Sequence, residues 1–444
     1  MTKLAIVHVV GAGLAGLNCA LRSAEAGARV RLYEATGHAG GRCRSYHDPE
    51  LDRWIDNGNH LVFSGNRAAL DFLRSIGASD SMIDPGRPMF PFSDVGSGER
   101  WTLRISDGRI PWWIFRPAQR IPHTKPIDYL ALLRFGFARR STAVARLVKP
   151  AHRLFRRLLE PLAVAVLNTS AEQGAARLLW PVIVETFGRG GKACHPLIAR
   201  EGLSMSFIDP AVRRLEALGV DIRMFHRLRE IERRGQAIVA LHFIGHRVEI
   251  GESDTVVLAV PHRMAGYLLP DLPVPEDSRS IVNAHYRLPA PVALPDNCAF
   301  LALIGGTAHW LFFRGDVISA TVSAAENLID HPAEEIARRI WHDIRRAVPG
   351  APVPLPPYRI VKEKTATFAQ TPAQVRRRPS PVTTIGNLIL AGDWTNTGLP
   401  ATIEGALRSG QRAARLALAR TGNSALPIRA AATSNHQTMP RTAH

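Results

Sequence analysis

Cysteine is scarce in this chain: there are four in 444 residues, Cys19, Cys43, Cys194 and Cys298, with no CxxC spacing between any two. That excludes a disulfide framework and suits a reducing cytoplasm, and no metal ligand set is expected. Long apolar runs are equally short in supply. Residues 4–21 are almost wholly apolar behind a single Lys3, but the glycine pattern inside them argues against a membrane span or a signal peptide. Elsewhere no run of about 18 uncharged apolar residues occurs, so nothing should cross a bilayer. Carboxylates are outnumbered, 38 Asp and Glu against 56 Lys and Arg, leaving a net charge of +18. No recognisable nucleic-acid module accompanies that charge, so nucleic acid is not an expected partner. There are no internal repeats. With 46% apolar residues the chain can bury a sizeable core, and its length suits two domains.

What is present begins at Val7–Gly16, VHVVGAGLAG. The run Leu4–Val10 reads as a buried parallel strand and Leu14 onward as a helix, so the glycines fall at their junction. Gly11 allows the tight turn, Gly13 lets the backbone approach a pyrophosphate, and Gly16 lets the helix pack on the strand. N–H groups at the helix start, around Ala15, would hold the phosphates. A second strand, 28–33, ends at Glu34, 23 residues beyond Gly11, where a carboxylate accepts from the hydroxyls of an unphosphorylated ribose. Gly40-Gly41-Arg42 follows. Arg42 is either a solvated surface charge or a partner for the diphosphate, and two preceding glycines favour the second. Together these features indicate an FAD site, noncovalent because no cysteine or histidine is placed for attachment.

The charge is concentrated. Residues 104–157 carry thirteen Lys or Arg against Asp107 and Asp128. Within them Ile127–Val148 and His152–Leu159 mix apolar and cationic residues at roughly helical spacing. Two readings stand level: a helix on an anionic membrane surface, or an ordinary amphipathic helix with a solvated basic face.

Further on, Phe207–Leu218 reads as a helix, Val220–Phe225 as a strand, a hairpin runs through Glu252, and Asp254–Pro261 is another buried strand. From Ile389 the sequence LILAGDWTNTGLPATIEGALRSG supplies a last strand, loop and helix. Asp393 would accept from ribityl hydroxyls, and N–H groups near Thr402 and Ile403 would stabilise negative charge on the flavin. The expected fold is α/β, a Rossmann-like FAD domain of the glutathione-reductase type with a parallel sheet, plus an α+β substrate domain. The FAD domain would be discontinuous, comprising 1–85, 205–262 and 378–421. Residues 86–204 and 263–377 would build the substrate and membrane-facing domain, and 422–444 a disordered tail.

Through GAGLAG, GGR, DTVVLAVP and GDW with EGALRSG, the chain resembles the flavin amine oxidase and phytoene desaturase superfamily over nearly its whole length. Local matches narrow this: Ile55–Leu61, Pro161–Asn168 with Thr169, Val282–Tyr286, Glu363–Phe368 and Thr397–Gly405. By these it is most similar to the bacterial hydroxysqualene dehydroxylases, the squalene-associated FAD-dependent desaturases of hopanoid biosynthesis. Asn59 departs from the glutamine expected in that group, and 86–150 matches only loosely.

The resemblance implies that reduced FAD converts hydroxysqualene to squalene. The cysteine usage and the basic segment place this in the cytoplasm, on the inner face of the cell membrane, and with no second nucleotide fingerprint in the sequence the expected electron source is an external reductase or transient nicotinamide docking. Such chemistry needs a protonated leaving hydroxyl, a dry pocket for an allylic cation and a hydride donor in near-attack position. His60 is the first candidate acid, the alternative being a histidine satisfied by backbone hydrogen bonds beneath the flavin. Glu404 is the second, the alternative being a helix-dipole or arginine partner. Lys364 and His285 rank third. Other functions in view are a carotenoid-type desaturase, an amine oxidase, which Thr402 disfavours because amine oxidases place a tyrosine there, and a flavin-retaining membrane scaffold.

Overall fold

Five short strands, most of them far apart in the chain, meet in one parallel sheet. In the computed structural model, which describes residues 5–292, 294 and 298–421, the strand order is Asp221–Arg223, Arg29–Tyr33, Ile6–Val10, Thr255–Leu258, Leu388–Leu390. All neighbours are parallel. Ile6–Val10 is buried at every position, because layers cover both faces of the sheet, and a strand covered on both faces reads as a continuous apolar run. The α/β class with a parallel sheet is therefore what forms.

One face of this sheet carries the helix Leu14–Glu25 and the closing helix Ile403–Arg420. They touch closely: a methyl added at Gly410 would lie 2.2 Å from the Ala15 carbonyl oxygen, and Asn18 Nδ2 donates to Leu407 O at 2.7 Å. Leu17, Leu21, Phe72, Phe207 and Leu407 fill the core between these helices, Arg67–Ser75 and Asp209–Ala217. On the other face the antiparallel strands Leu228–Arg234, Ala237–Phe243 and His246–Glu249 enclose Tyr33, Phe243, Leu258 and Trp394.

A second sheet has seven strands, in the order Tyr358–Phe368, Ser278–Arg287, Val317–Ser323, Trp310–Arg314, Phe300–Ile304, Met89–Asp94, Arg100–Arg104. Only Phe300–Ile304 and Met89–Asp94 run parallel. Helix Ala333–Ala347 packs with it around Tyr286, Ile340 and Trp341, and a separate aromatic core gathers Phe90, Trp101, Trp113, Phe135 and Phe155. The strand Pro196–Ala199 pairs with Val62–Phe63 and Met82–Ile83, and Leu197 and Ala199 join the core of the first sheet.

The basic segment is not the amphipathic helix its spacing predicts. Pro126–Phe137 is a run of 3-10 turns, Val144–Leu147 a single short helical turn, and Phe155–Leu159 a π turn leading into the helix Glu160–Leu167. Pro126 and Lys149-Pro150 bracket the stretch, and apolar residues three apart line up along a 3-10 run as readily as along one face of an α-helix. The tail 422–444, expected to be disordered, lies outside the described residues.

Candidate active site

The turn after the first strand is shaped by what a side chain would strike. Gly11 sits at φ +105°, a left-handed conformation that favours glycine, and a methyl there would fall 2.6 Å from Ala259 O. At Gly16 it would lie 1.8 Å from Gly11 O. Gly13 is different: nothing stands within 4 Å of the position a Cβ would take. That cradle at the N-terminus of Leu14–Glu25 has room for a pyrophosphate, facing the positive end of the helix. Gly41, whose added methyl would lie 3.6 Å from Gly13 Cα, borders it. Ala15 packs its Cα and carbonyl against Gly410, which leaves its backbone N–H as the group it can offer.

Glu34, at the end of the second strand, is held beside this turn. Its Oε2 accepts from Ala12 N at 2.9 Å and its Oε1 from Thr36 N and Oγ1 at 3.0 Å each. The carboxylate oxygens keep further lone pairs for ribose hydroxyls.

Arg42 and Asp393 are 351 residues apart and bind one another: Arg42 Nη2 donates to Asp393 Oδ2 at 2.8 Å, and Nη1 to Ala366 O at 2.5 Å. Asp393 pushes the arginine pKa up, against burial. Sequence reading sent Arg42 to the diphosphate and Asp393 to the ribityl chain; in the structure they first clasp the GGR loop to the closing motif. Sequence reading missed Arg378 altogether. It is buried and donates to the carbonyls of Asp393, Thr395 and Leu399 and to Thr397 Oγ1. Burial lowers its pKa to about 10, so it stays charged at neutral pH and moulds the loop on which Asp393 stands. The only sequence signal was an arginine at the end of the run Arg376-Arg377-Arg378.

The loop Asn57–His60 is tied to the second sheet. Asn283 Nδ2 donates to Asn57 O at 3.1 Å, Thr321 Oγ1 to Asn283 Oδ1 at 2.8 Å, and Asn59 Nδ2 to Thr321 Oγ1 at 3.0 Å. Asn59, the departure noted in the sequence, thus anchors the loop. His60 follows it, half-buried. Burial lowers its pKa, the Asp56 carboxylate opposes this, and Arg42 reinforces it. The backbone-satisfied alternative is not what forms, since the imidazole has no hydrogen-bond partner among the described residues.

Glu404 requires a correction. Its Oε1 and Oε2 accept from Ala68 N at 3.1 Å and Ala69 N at 2.9 Å, and Arg408 Nε donates to Oε1 at 2.7 Å. It caps the helix Arg67–Ser75 and pairs an arginine, with both oxygens committed as acceptors. Lys364 is exposed and pairs with Asp330. His285 is buried with Nδ1 2.7 Å from Ser319 Oγ. Neither belongs to the His60 loop. Thr402 caps the closing helix, its Oγ1 accepting from Gly405 N at 3.1 Å, while its own N–H and that of Ile403 stay outside the helical ladder.

The model of the family described as "Flavin containing amine oxidoreductase" matches residues 14–418. The chain belongs to this family. A hydroxysqualene dehydroxylase from Zymomonas mobilis is 45% identical over 94% of this chain and 99% of its own length. One from Rhodopseudomonas palustris is 46% identical over 93% and 98%. A 15-cis-phytoene desaturase from Synechococcus elongatus is 22% identical over 93% and 96%. Solved structures share the fold: cyclohexylamine oxidase from Brevibacterium oxydans has a TM-score of 0.66 at 14% identity, covering 95% of this chain and 99% of its own. Putrescine oxidase has 0.64 at 17%, covering 94% and 99%. The protein is an FAD-dependent oxidoreductase, and the open cradle at Gly13 with Glu34 beside it fits that cofactor.

Proposed function

We propose that the protein reduces hydroxysqualene to squalene, in the supply of squalene for hopanoids, at the inner face of the cell membrane. Kinship with the two hydroxysqualene dehydroxylases over nearly the whole chain carries this reading. Residues 1–85, 205–262 and 378–421 would form the unit that holds FAD, and 86–204 and 263–377 the substrate unit, with Pro196–Ala199 crossing over to pair with Val62–Phe63 and Met82–Ile83.

Gly11, Gly13, Ala15, Gly16 and Gly41 would bind the pyrophosphate, Glu34 the ribose, the Arg42–Asp393 pair the middle of the cofactor, and the N–H groups of Thr402 and Ile403 its pyrimidine end. When bound and reduced, the flavin supplies a hydride. The protein must supply a proton and a dry surface. His60 is the titratable group of the Asn57–His60 loop without a hydrogen-bond partner, and Leu61 and Phe63 beyond it pack on the aromatic core of the second unit. We assign His60 the protonation of the departing allylic hydroxyl, which leaves as water while hydride replaces it on carbon.

Anaerobic incubation with chemically reduced FAD and hydroxysqualene, with products separated by gas chromatography and identified by mass, tests the reading. Squalene is expected. Recovery of unchanged alcohol sinks it, and dehydrogenated products in its place would favour the oxidative desaturase.

A further inference from the structure

Apolar side chains of the basic segment point the wrong way for a soluble protein. Ile127, Leu130 and Leu133 stand three residues apart on the 3-10 run Pro126–Phe137, and at three residues per turn they eclipse one another into a single stripe. The stripe faces outward: Ile127 is 65% exposed, and Phe137 beyond it 87%. Ile110, just before the neighbouring turn Trp112–Phe115, and Trp112 and Phe115 within it add to the stripe, each more than half exposed. The inward residues of the same turns, Trp113, Tyr129 and Phe135, are buried in the aromatic core, so the outward set is held on a rigid footing. Around it Arg109, Arg116, Lys125, Arg134, Arg139 and Arg140 are exposed. Large apolar side chains surrounded by cations need a partner that is apolar within and anionic at its rim.

We infer that the surface built by Ile110–Phe115 and Ile127–Phe137 inserts into the headgroup and acyl boundary of an anionic lipid bilayer, the arginines and Lys125 engaging lipid phosphates. A second copy of this chain fits less well, because each copy would bring a segment of net charge +11, thirteen cations against two aspartates, to the same contact. No described helix is long and apolar enough to cross a membrane, so attachment is to one leaflet. This differs from a helix held by charge alone: the apolar stripe carries part of the affinity, and that part survives salt. The aromatic core beneath the stripe also takes in Leu61 and Phe63, next to His60, so the inserted face and the proposed site share one apolar body. The inference rests on the membrane reading above, and its test makes no use of turnover.

The experiment is vesicle sedimentation of the FAD-loaded full chain, using phosphatidylcholine alone or mixed with phosphatidylglycerol, at low and high salt. Insertion is read from tryptophan quenching by lipids brominated along the acyl chain. Wild type is expected to bind the mixed vesicles, to be quenched, and to keep measurable binding at high salt. The triple variant Leu130→Ser, Leu133→Ser, Phe137→Ser should partition about a hundredfold less, with flavin content and melting temperature unchanged. Ile244→Ser with Val382→Ser, exposed apolar residues elsewhere, should bind as wild type does. Trp112→Phe should lose most of the quenching. Wild-type binding without quenching, abolished by salt, overturns insertion and leaves a charge-only attachment. Absence of binding to any vesicle overturns the membrane reading with it, as does a wild-type dimer that the triple variant converts to monomer. Equal binding by the triple variant overturns the assignment of this surface.

Discussion

His60 and Arg378 carry opposite kinds of consequence. His60 is half-buried and its ring holds nothing in place, so His60→Ala should keep its FAD and its fold while single-turnover reduction slows about 100-fold to 10,000-fold. Burial lowers the pKa of this imidazole, in part against Asp56, so its proton-donating form is favoured at lower pH than that of a free histidine. The wild-type rate should therefore rise as pH falls through that depressed value. An unchanged rate in His60→Ala removes the assignment. Arg378 touches no proposed substrate atom, yet Arg378→Met would take the donor from the buried Asp393 carbonyl and remove the guanidinium that ties Thr395 O, Leu399 O and Thr397 Oγ1 together, a buried carbonyl left unsatisfied costing about 1–3 kcal/mol. The expected outcome is lost flavin and a lower melting temperature, with partial recovery in Arg378→Lys. Full flavin content in the methionine variant would show that the loop holds its shape without it.

At the scale of elements, two junctions separate folding from binding. Gly13 and Gly16 lie in the same turn, but an added side chain meets open space at the first and the Gly11 carbonyl at the second. Gly13→Val should fold and fail to retain flavin, whereas Gly16→Val should fail at both, as read by circular dichroism and flavin absorbance. Soluble, flavin-loaded Gly13→Val would show that the pyrophosphate lies elsewhere. The other junction is the start of Arg67–Ser75, capped from a distance by Glu404. Glu404→Ala should lower unfolding stability by about 1–3 kcal/mol and leave the chemical step of flavin-loaded protein nearly intact. A loss in that step like the one expected of His60→Ala would restore Glu404 as the acid.

For the whole molecule, acid is the sensitive variable. Burial lowers His262, His285 and His309 from 6.5 to about 4. The unfolded chain binds these three protons near pH 6.5 and the folded one only near pH 4, so stability is full above that window and falls as pH drops through it. Each group contributes a slope of up to about 1.4 kcal/mol per pH unit. Urea unfolding midpoints should decline between those limits, and the Asn variant of His285, whose Nδ1 meets Ser319, should flatten the decline. A pH-independent midpoint there would mean the histidines are protonated inside the fold.

The nucleotide-binding turn was legible in the sequence because everything that makes it is local: a buried strand, glycines at fixed intervals, and an acid at the end of the next strand. The closing motif was legible for the same reason, and a likeness of motifs along the chain was enough to suggest the family. What the sequence could not carry was pairing across distance. For Glu404 the sequence offered an arginine partner beside the acid role, and Arg408 is that partner, but its capping of a second helix is set by Ala68 and Ala69, more than 300 residues away. Arg42 and Asp393 each looked like a ligand, and only folding brought them to each other. Arg378 carried no motif at all, since its function is to satisfy carbonyls, which no residue type announces. The basic segment was misread as a helix because apolar residues three or four apart suit an α-helix and a 3-10 turn nearly equally. Which side of the turn meets solvent is decided by Trp113, Tyr129 and Phe135 entering a core that other parts of the chain provide.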